Sequence, residues 1–135
     1  VLDAPKIHHD LPDNIRMEGT FASFEELPLL ASDGWLYTSE WDGVPTVLIE
    51  CAALGVPITA SAVGGVSELI TETTGWPVEE GRGAESYVRA LEAMLADSQE
   101  RVRRAQALQD LARERHTFDS YKRAVADIIE DFGND

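Results

Sequence analysis

Basic residues are scarce where acids are dense: positions 1–80 hold only Lys6 and Arg16 against fourteen Asp and Glu, a local charge of −12. The remaining positions carry nine bases against eleven acids, or −2, the mixture found on solvated helical faces. Nucleic-acid binding needs a basic stripe that releases counterions, and the lack of one argues against that class. Lysine is limited to Lys6 and Lys122, neither at the end of a recognisable strand. That excludes phosphoryl-receiver chemistry, which a small acidic domain could otherwise host. Cysteine occurs once, as Cys51 within Glu50-Cys51-Ala52-Ala53-Leu54, so no internal disulfide forms and a packed thiol in a reduced compartment is expected. No charged-then-apolar signal segment opens the sequence, and no apolar run approaches the roughly 20 residues of a membrane helix. A soluble, cytoplasmic protein is the expectation.

What is present suffices for one domain: 135 residues with 44% hydrophobic content can close a single core of two or three layers. The alternation Asn14-Ile15-Arg16-Met17-Glu18 and the compact run Gly34-Trp35-Leu36-Tyr37-Thr38-Ser39 read as strands, with a short helix over 23–30 between them. A helix over 47–54 is bracketed by Pro45 before it and Gly55 after it. Val56-Pro57-Ile58-Thr59-Ala60 then reads as a buried strand, Gly64-Gly65 opens a short helix through Ile70, and Gly75-Trp76-Pro77-Val78 forms a last strand. Strands that are almost continuously apolar, alternating with helices, imply an α/β fold: a doubly wound parallel sheet covered on both faces.

From Ala84 onward the pattern is helical. Val88, Leu91 and Leu95 form one apolar stripe, and Val102, Ala105, Leu108 and Ala112 form the next, with Asp97-Ser98 as a cap between them. Asp119 is expected to cap a last helix carrying Tyr121, Val125, Ile128 and Phe132. All these stripes are read as core packing.

Ligands in open parallel sheets bind beyond the carboxyl ends of strands. Two loops qualify: Ser39-Glu40-Trp41-Asp42-Gly43-Val44-Pro45 and Ser61-Ala62-Val63-Gly64-Gly65. Each sets glycine and free N–H groups at a helix start, where the dipole favours an anion. Asp42 precedes the helix and Glu50 lies about one and a half turns inside it. At about 1.5 Å of rise per residue the two carboxylates are too far apart for an adjacent acid/base pair.

The stretch from Ser39 to Glu68 resembles the donor-site sequence of retaining glycosyltransferases of family 4, which have the two-domain GT-B fold. That family carries two acids separated by seven residues, a small-residue helix, Gly-x-Pro, and Gly-Gly-x-x-Glu. The matching positions are Asp42 and Glu50, then Gly55-Val56-Pro57, then Gly64-Gly65-Val66-Ser67-Glu68. A weaker likeness, from Asn14 to Gly19 and through the terminal helices, extends over nearly the whole chain. The resemblance implies that residues 1–135 are one Rossmann-like donor-binding domain lacking its first βα elements and an N-terminal acceptor domain.

The same resemblance implies a nucleoside diphosphate sugar as substrate, no cofactor and no metal. Asp42 would be the catalytic residue that accepts hydrogen bonds from sugar hydroxyls. The Gly43, Val44, Pro45 and Thr46 backbone would hold phosphate oxygens, Glu50 the ribose hydroxyls, and Gly19, Thr20 and Phe21 the nucleobase. Two departures stand out. Asp42 replaces the more usual Glu, and the Arg and Lys that neutralise the leaving diphosphate have no counterpart before Asp42. Truncation ahead of Val1-Leu2-Asp3 accounts for the second, and predicts a preceding βα segment bearing both bases. A non-catalytic interaction module derived from the same fold is the rival reading.

Other residues admit plainer roles. Asp42 could serve only to cap a turn, Gly64 and Gly65 could serve either tight packing or ligand contact, and Glu68 reads as a dipole partner in a first helical turn. Trp41 could line a sugar pocket or pack on the sheet edge. His8-His9-Asp10 has no third ligand at metal-binding spacing and reads as a solvated loop. His116 is expected to mark a helix end.

Overall fold

Three short strands pair in parallel in the order β1-β2-β3, where β1 is Trp35–Tyr37, β2 is Ile58–Ala62 and β3 is Trp76–Glu79. The computed structural model describes residues 11–17, 19–79 and 81–133. Helix α1 (Thr46–Ala53) connects β1 to β2, and the one-turn α2 (Val66–Leu69) connects β2 to β3. Then α3 (Ala84–Ala96), α4 (Ser98–Arg115) and α5 (Phe118–Gly133) complete the chain. The architecture is α/β with a parallel sheet and C-terminal helices, as expected, and agrees with a Rossmann-like half of a GT-B fold.

Strand β2 is the hub, and its alternation assigns the faces. Ile58 and Ala60 join a core with Leu48, Cys51 and Ala52 of α1, Val66 and Leu69 of α2, and Leu108 and Ala112 of α4. On the other face Thr59 donates to Met94 Sδ of α3 at 3.7 Å. Helix α3 fits there because Gly34 has no side chain: a Cβ at that position would lie 2.5 Å from Met94 Cε. Helices therefore cover both faces of the central strand, and its alternating polar residues Thr59 and Ser61 are buried with the apolar ones. Helix α4 is fastened to the start of β3 by Arg104, which donates to Gly75 O at 2.7 Å and lies 4.8 Å above the Trp76 ring. Glu100 bonds both Arg103 and Arg104, and these partners, Arg103 first, hold its carboxyl down at about 2.

Several sequence expectations need correction. Residues 14–17 form no strand: Ile15 closes a turn on Pro12 O at 2.8 Å, and Ile15 and Met17 are 49% and 60% exposed. Two alternating apolar residues stabilise a strand only when a neighbouring strand and a core receive them. The helix expected over 23–30 is two 3₁₀ turns, Phe24–Glu26 and Leu29–Ala31. Pro28 separates them, because it lacks the N–H that a continuous helix would require. Of the C-terminal stripes, Ala105, Leu108 and Ala112 are buried as expected, and Met94, outside the expected stripe, is the buried residue of α3. Val88, Leu95 and Val102 are exposed, as are Tyr121, Ile128 and Phe132 of α5. Asp97 caps α4 and His116 ends it, as expected, but Thr117 caps α5: its Oγ1 accepts the Ser120 N–H at 3.1 Å, while Asp119 pairs with Lys122.

Candidate functional site

The loop from Ser39 to Pro45 leaves the carboxyl end of β1 and is held from several sides. Ser61 Oγ, on the parallel neighbour β2, donates to Ser39 O at 2.5 Å, and Ser39 Oγ donates to Trp41 O at 2.9 Å. Farther along, Gly65 N–H donates to Asp42 O at 3.3 Å. The second glycine-bearing loop thus lies directly on the first. Gly64 has φ +47°, a left-handed value that side chains disfavour, and a Cβ there would overlap Asp42 O. A Cβ on Gly65 would lie 2.7 Å from the Gly43 carbonyl. These two glycines serve tight packing, letting one site loop press against the backbone of the other.

Within this frame the Asp42 side chain is oriented by two donors. Tyr37 Oη, from the last residue of β1, donates to Oδ2, and the Gly43 N–H donates to Oδ1 at 2.8 Å. The hydrogen bond to Asp42, then burial, raises the ionisation of Tyr37 above its ordinary value, so the phenol stays a donor at neutral pH. Asp42 is half-buried, which leaves part of its carboxylate facing solvent.

Helix α1 begins four residues beyond Asp42, with Pro45 as a buried N-cap that offers no side-chain hydrogen bond. Its first internal bonds run from Leu48 and Ile49 to Pro45 O, so the N–H groups of Thr46 and Val47 have no partner within the helix. Of the backbone donors expected for phosphate, Gly43 is therefore already engaged by Asp42 and Pro45 has no N–H, which leaves Val44 and Thr46, with Val47 adjoining. Glu50 is exposed on the outer face of α1, while its neighbour Cys51 is fully buried on the inner face. Burial first, and the Glu50 charge second, push the Cys51 thiol up to about 12. Its full burial and raised ionisation match a packed thiol.

A cleft of about 540 Å³ opens beside the loop, lined among others by Ser39, Glu40, Ser61, Arg82 and Tyr87. It lies at the carboxyl ends of the strands, the place the fold reserves for ligands. Asp42 and Glu50 do not line it. Gly19, Thr20 and Phe21 are brought together in a separate depression of about 450 Å³ with Arg16, Glu26 and Leu27. Trp41 is 84% exposed, so it does not pack on the sheet edge. Glu68 stands exposed in the only turn of α2. The segments Val1-Leu2-Asp3 and His8-His9-Asp10 lie outside the described residues. Among the described residues, no cluster of three His, Cys, Asp or Glu side chains could hold a metal ion.

The sequence profile described as Glycosyl transferases group 1 matches residues 7–111, well over half of the chain. This chain belongs to the group 1 glycosyl transferases. Membership implies sugar transfer by the intact protein. Comparison with curated proteins gives no match. The match covers both glycine-tied loops, Asp42, Glu50 and the Gly19 depression, and ends within α4. No helix among the described residues is long and apolar enough to cross a membrane.

Two residues of the site neighbourhood escaped sequence reasoning. Tyr37 looked like one more apolar strand position, and its alternation from Trp35 within β1 gave the only hint of a shared face. Arg82 lies forty residues beyond Asp42 in the chain, yet lines the cleft with Glu40. Its charge is partly offset by Glu79, whose Oε2 accepts from Arg82 Nε at 3.0 Å.

Proposed function

We propose that this chain is the nucleotide-sugar-binding half of a retaining glycosyltransferase of family 4, transferring a hexose from a nucleoside diphosphate sugar. Asp42 accepts hydroxyls of the donor sugar. The free N–H groups at the start of α1 hold the diphosphate, aided by the helix dipole. Glu50 takes the ribose hydroxyls, and the Gly19, Thr20 and Phe21 depression takes the base. One observation carries the reading: an oriented carboxylate sits just ahead of a helix whose first N–H groups have no partner within the helix, with a second, exposed carboxylate farther along it. That sequence of groups suits a ligand that is hydroxylated at both ends and anionic in the middle. Orientation and electrostatic stabilisation of the departing diphosphate supply the rate enhancement.

No metal and no cofactor enter this scheme. The acceptor site comes from the other domain of the intact protein, so the 135-residue chain alone binds a donor without turning it over. The reducing cytoplasm is the compartment that suits its single buried cysteine.

NMR titration of the chain with UDP, GDP and their hexose conjugates tests the proposal. Shifts of the Thr46, Val47 and Glu50 amides are the expected result, and no response to any nucleotide defeats it. A second reading, a non-catalytic interaction module, is favoured by the exposed apolar stripe of α5, which includes Phe118, Tyr121, Ile128 and Phe132. It predicts silence in the same titration.

A further inference from the structure

We propose that Tyr37 is a positioning residue of the donor site, holding the Asp42 carboxylate in the orientation that receives two neighbouring hydroxyls of the donor sugar. The inference rests on the donor-site reading above and adds a residue to it.

Asp42 is held in two independent ways. Its backbone is fixed by the Gly65 N–H on its carbonyl and by the glycine seam, which involves no side-chain atom of Asp42. Its carboxylate is fixed by Tyr37 on Oδ2 and by the Gly43 N–H on Oδ1. The two side-chain donors differ in kind. The Gly43 donor belongs to the same loop and follows the carboxylate wherever the loop goes. Tyr37 belongs to the sheet: it pairs with Ala60 in the parallel register of β1 on β2, and Ala60 is fully buried. Its hydroxyl is thereby aimed from a strand hydrogen-bonded to the buried centre of the sheet.

The acceptor count gives the consequence. A carboxylate offers about four lone-pair positions, two on each oxygen. Tyr37 and Gly43 occupy one on each, so each oxygen keeps one. A pair of adjacent sugar hydroxyls has the matching donor geometry, one to each oxygen. Without the Tyr37 hydroxyl, Oδ2 loses its anchor and the carboxylate can turn about its side-chain torsions. Only recognition of the sugar then suffers, because the phosphate donors of α1 and the ribose acceptor Glu50 do not depend on Tyr37.

The test compares the chain with Tyr37→Phe, Asp42→Asn and the double variant, using UDP, UDP-glucose, GDP and GDP-mannose as probes. Tyr37→Phe should leave affinity for the bare nucleotide within about twofold and weaken the sugar conjugate about tenfold, an amount within the usual range for a hydrogen bond to a charged group. Combined with Asp42→Asn it should add nothing, since both act through one carboxylate. Additive losses, or an equal loss for bare nucleotide and conjugate, overturn the role of Tyr37 while leaving the donor site standing. No nucleotide response from the unaltered chain overturns the donor site, and the role of Tyr37 falls with it. A second measurement needs no substitution at Tyr37. With the ring ζ-carbon labelled, the Tyr37 phenol should ionise at lower pH in Asp42→Asn than in the unaltered chain. An unchanged titration means the bond is absent in solution and defeats the proposal.

Discussion

The two ends of the candidate site are built differently. The Asp42 end is tied to the sheet through Tyr37 and Ser61 and to a second loop through Gly64 and Gly65. The Gly19 end lies on an irregular, exposed segment: Phe21 is half exposed, its ring 6.5 Å from Phe24 in an edge-on contact. The contrast separates what must be preorganised from what need not be. On the proposed donor reading, orienting a reacting sugar requires fixed dipoles before the ligand arrives, whereas stacking a base requires only an accessible surface.

Substitutions on both sides of this contrast should rank accordingly. The largest effect concerns Cys51, on the inner face of α1. With its thiol pushed up to about 12, its thiolate fraction at pH 8 should be about 10³-fold below that of a free cysteine, and maleimide labelling should proceed only through unfolding. Between pH 9 and 12 the unfolded chain releases this proton while the folded chain retains it. Stability should therefore fall with rising pH by about 1.4 kcal/mol per unit, readable from urea midpoints at stepped pH. Next comes Gly64→Ala, which must move the Asp42 carbonyl and hold alanine at positive φ. About 3 kcal/mol of destabilisation is expected in the same urea assay.

Ser61→Ala removes the buried donor to Ser39 O and should cost about 1.5 kcal/mol. Gly19→Ala marks the other side of the comparison. Its φ of +81° is also left-handed, but a Cβ there meets nothing within 4 Å, so only the backbone cost of about 1 kcal/mol applies. If Gly19→Ala proves as costly as Gly64→Ala, the distinction between the two ends is lost. Smallest of all, Phe132→Ser on α5 should shift stability by no more than about 0.5 kcal/mol, because that ring is 81% exposed.

How much of this was legible beforehand depends on how local each feature is. The strands at Trp35, Ile58 and Trp76 are found where short apolar runs placed them, although only β2 is buried on both faces and Leu36 of β1 is 45% exposed. The helix after Pro45 and the cap at Asp97 are local and were equally readable. Periodicity misled at Ile15 and Met17, and again on α5, because an alternating or helical pattern records an apolar face and not the surface that covers it. The acids at Asp42 and Glu50 stood out through the resemblance of the Ser39 to Glu68 stretch to a known family. Tyr37 and Arg82 did not, since parallel pairing of β1 with β2 and of β2 with β3 is what carries them to the same end of the sheet. The packing role of Gly64 and Gly65 became visible only when the opposing backbone was in view.

That glycine seam also bears on how the protein can diverge. The contacts across it are made by main-chain atoms of residues 42 and 43 and by the Val44 side chain, so the frame does not register which side chain occupies position 42. Side-chain exchange at that position, together with its partner at 37, leaves the frame intact, while positions 64 and 65 tolerate almost nothing. Variation and invariance are thereby assigned to opposite sides of a single interface between two loops.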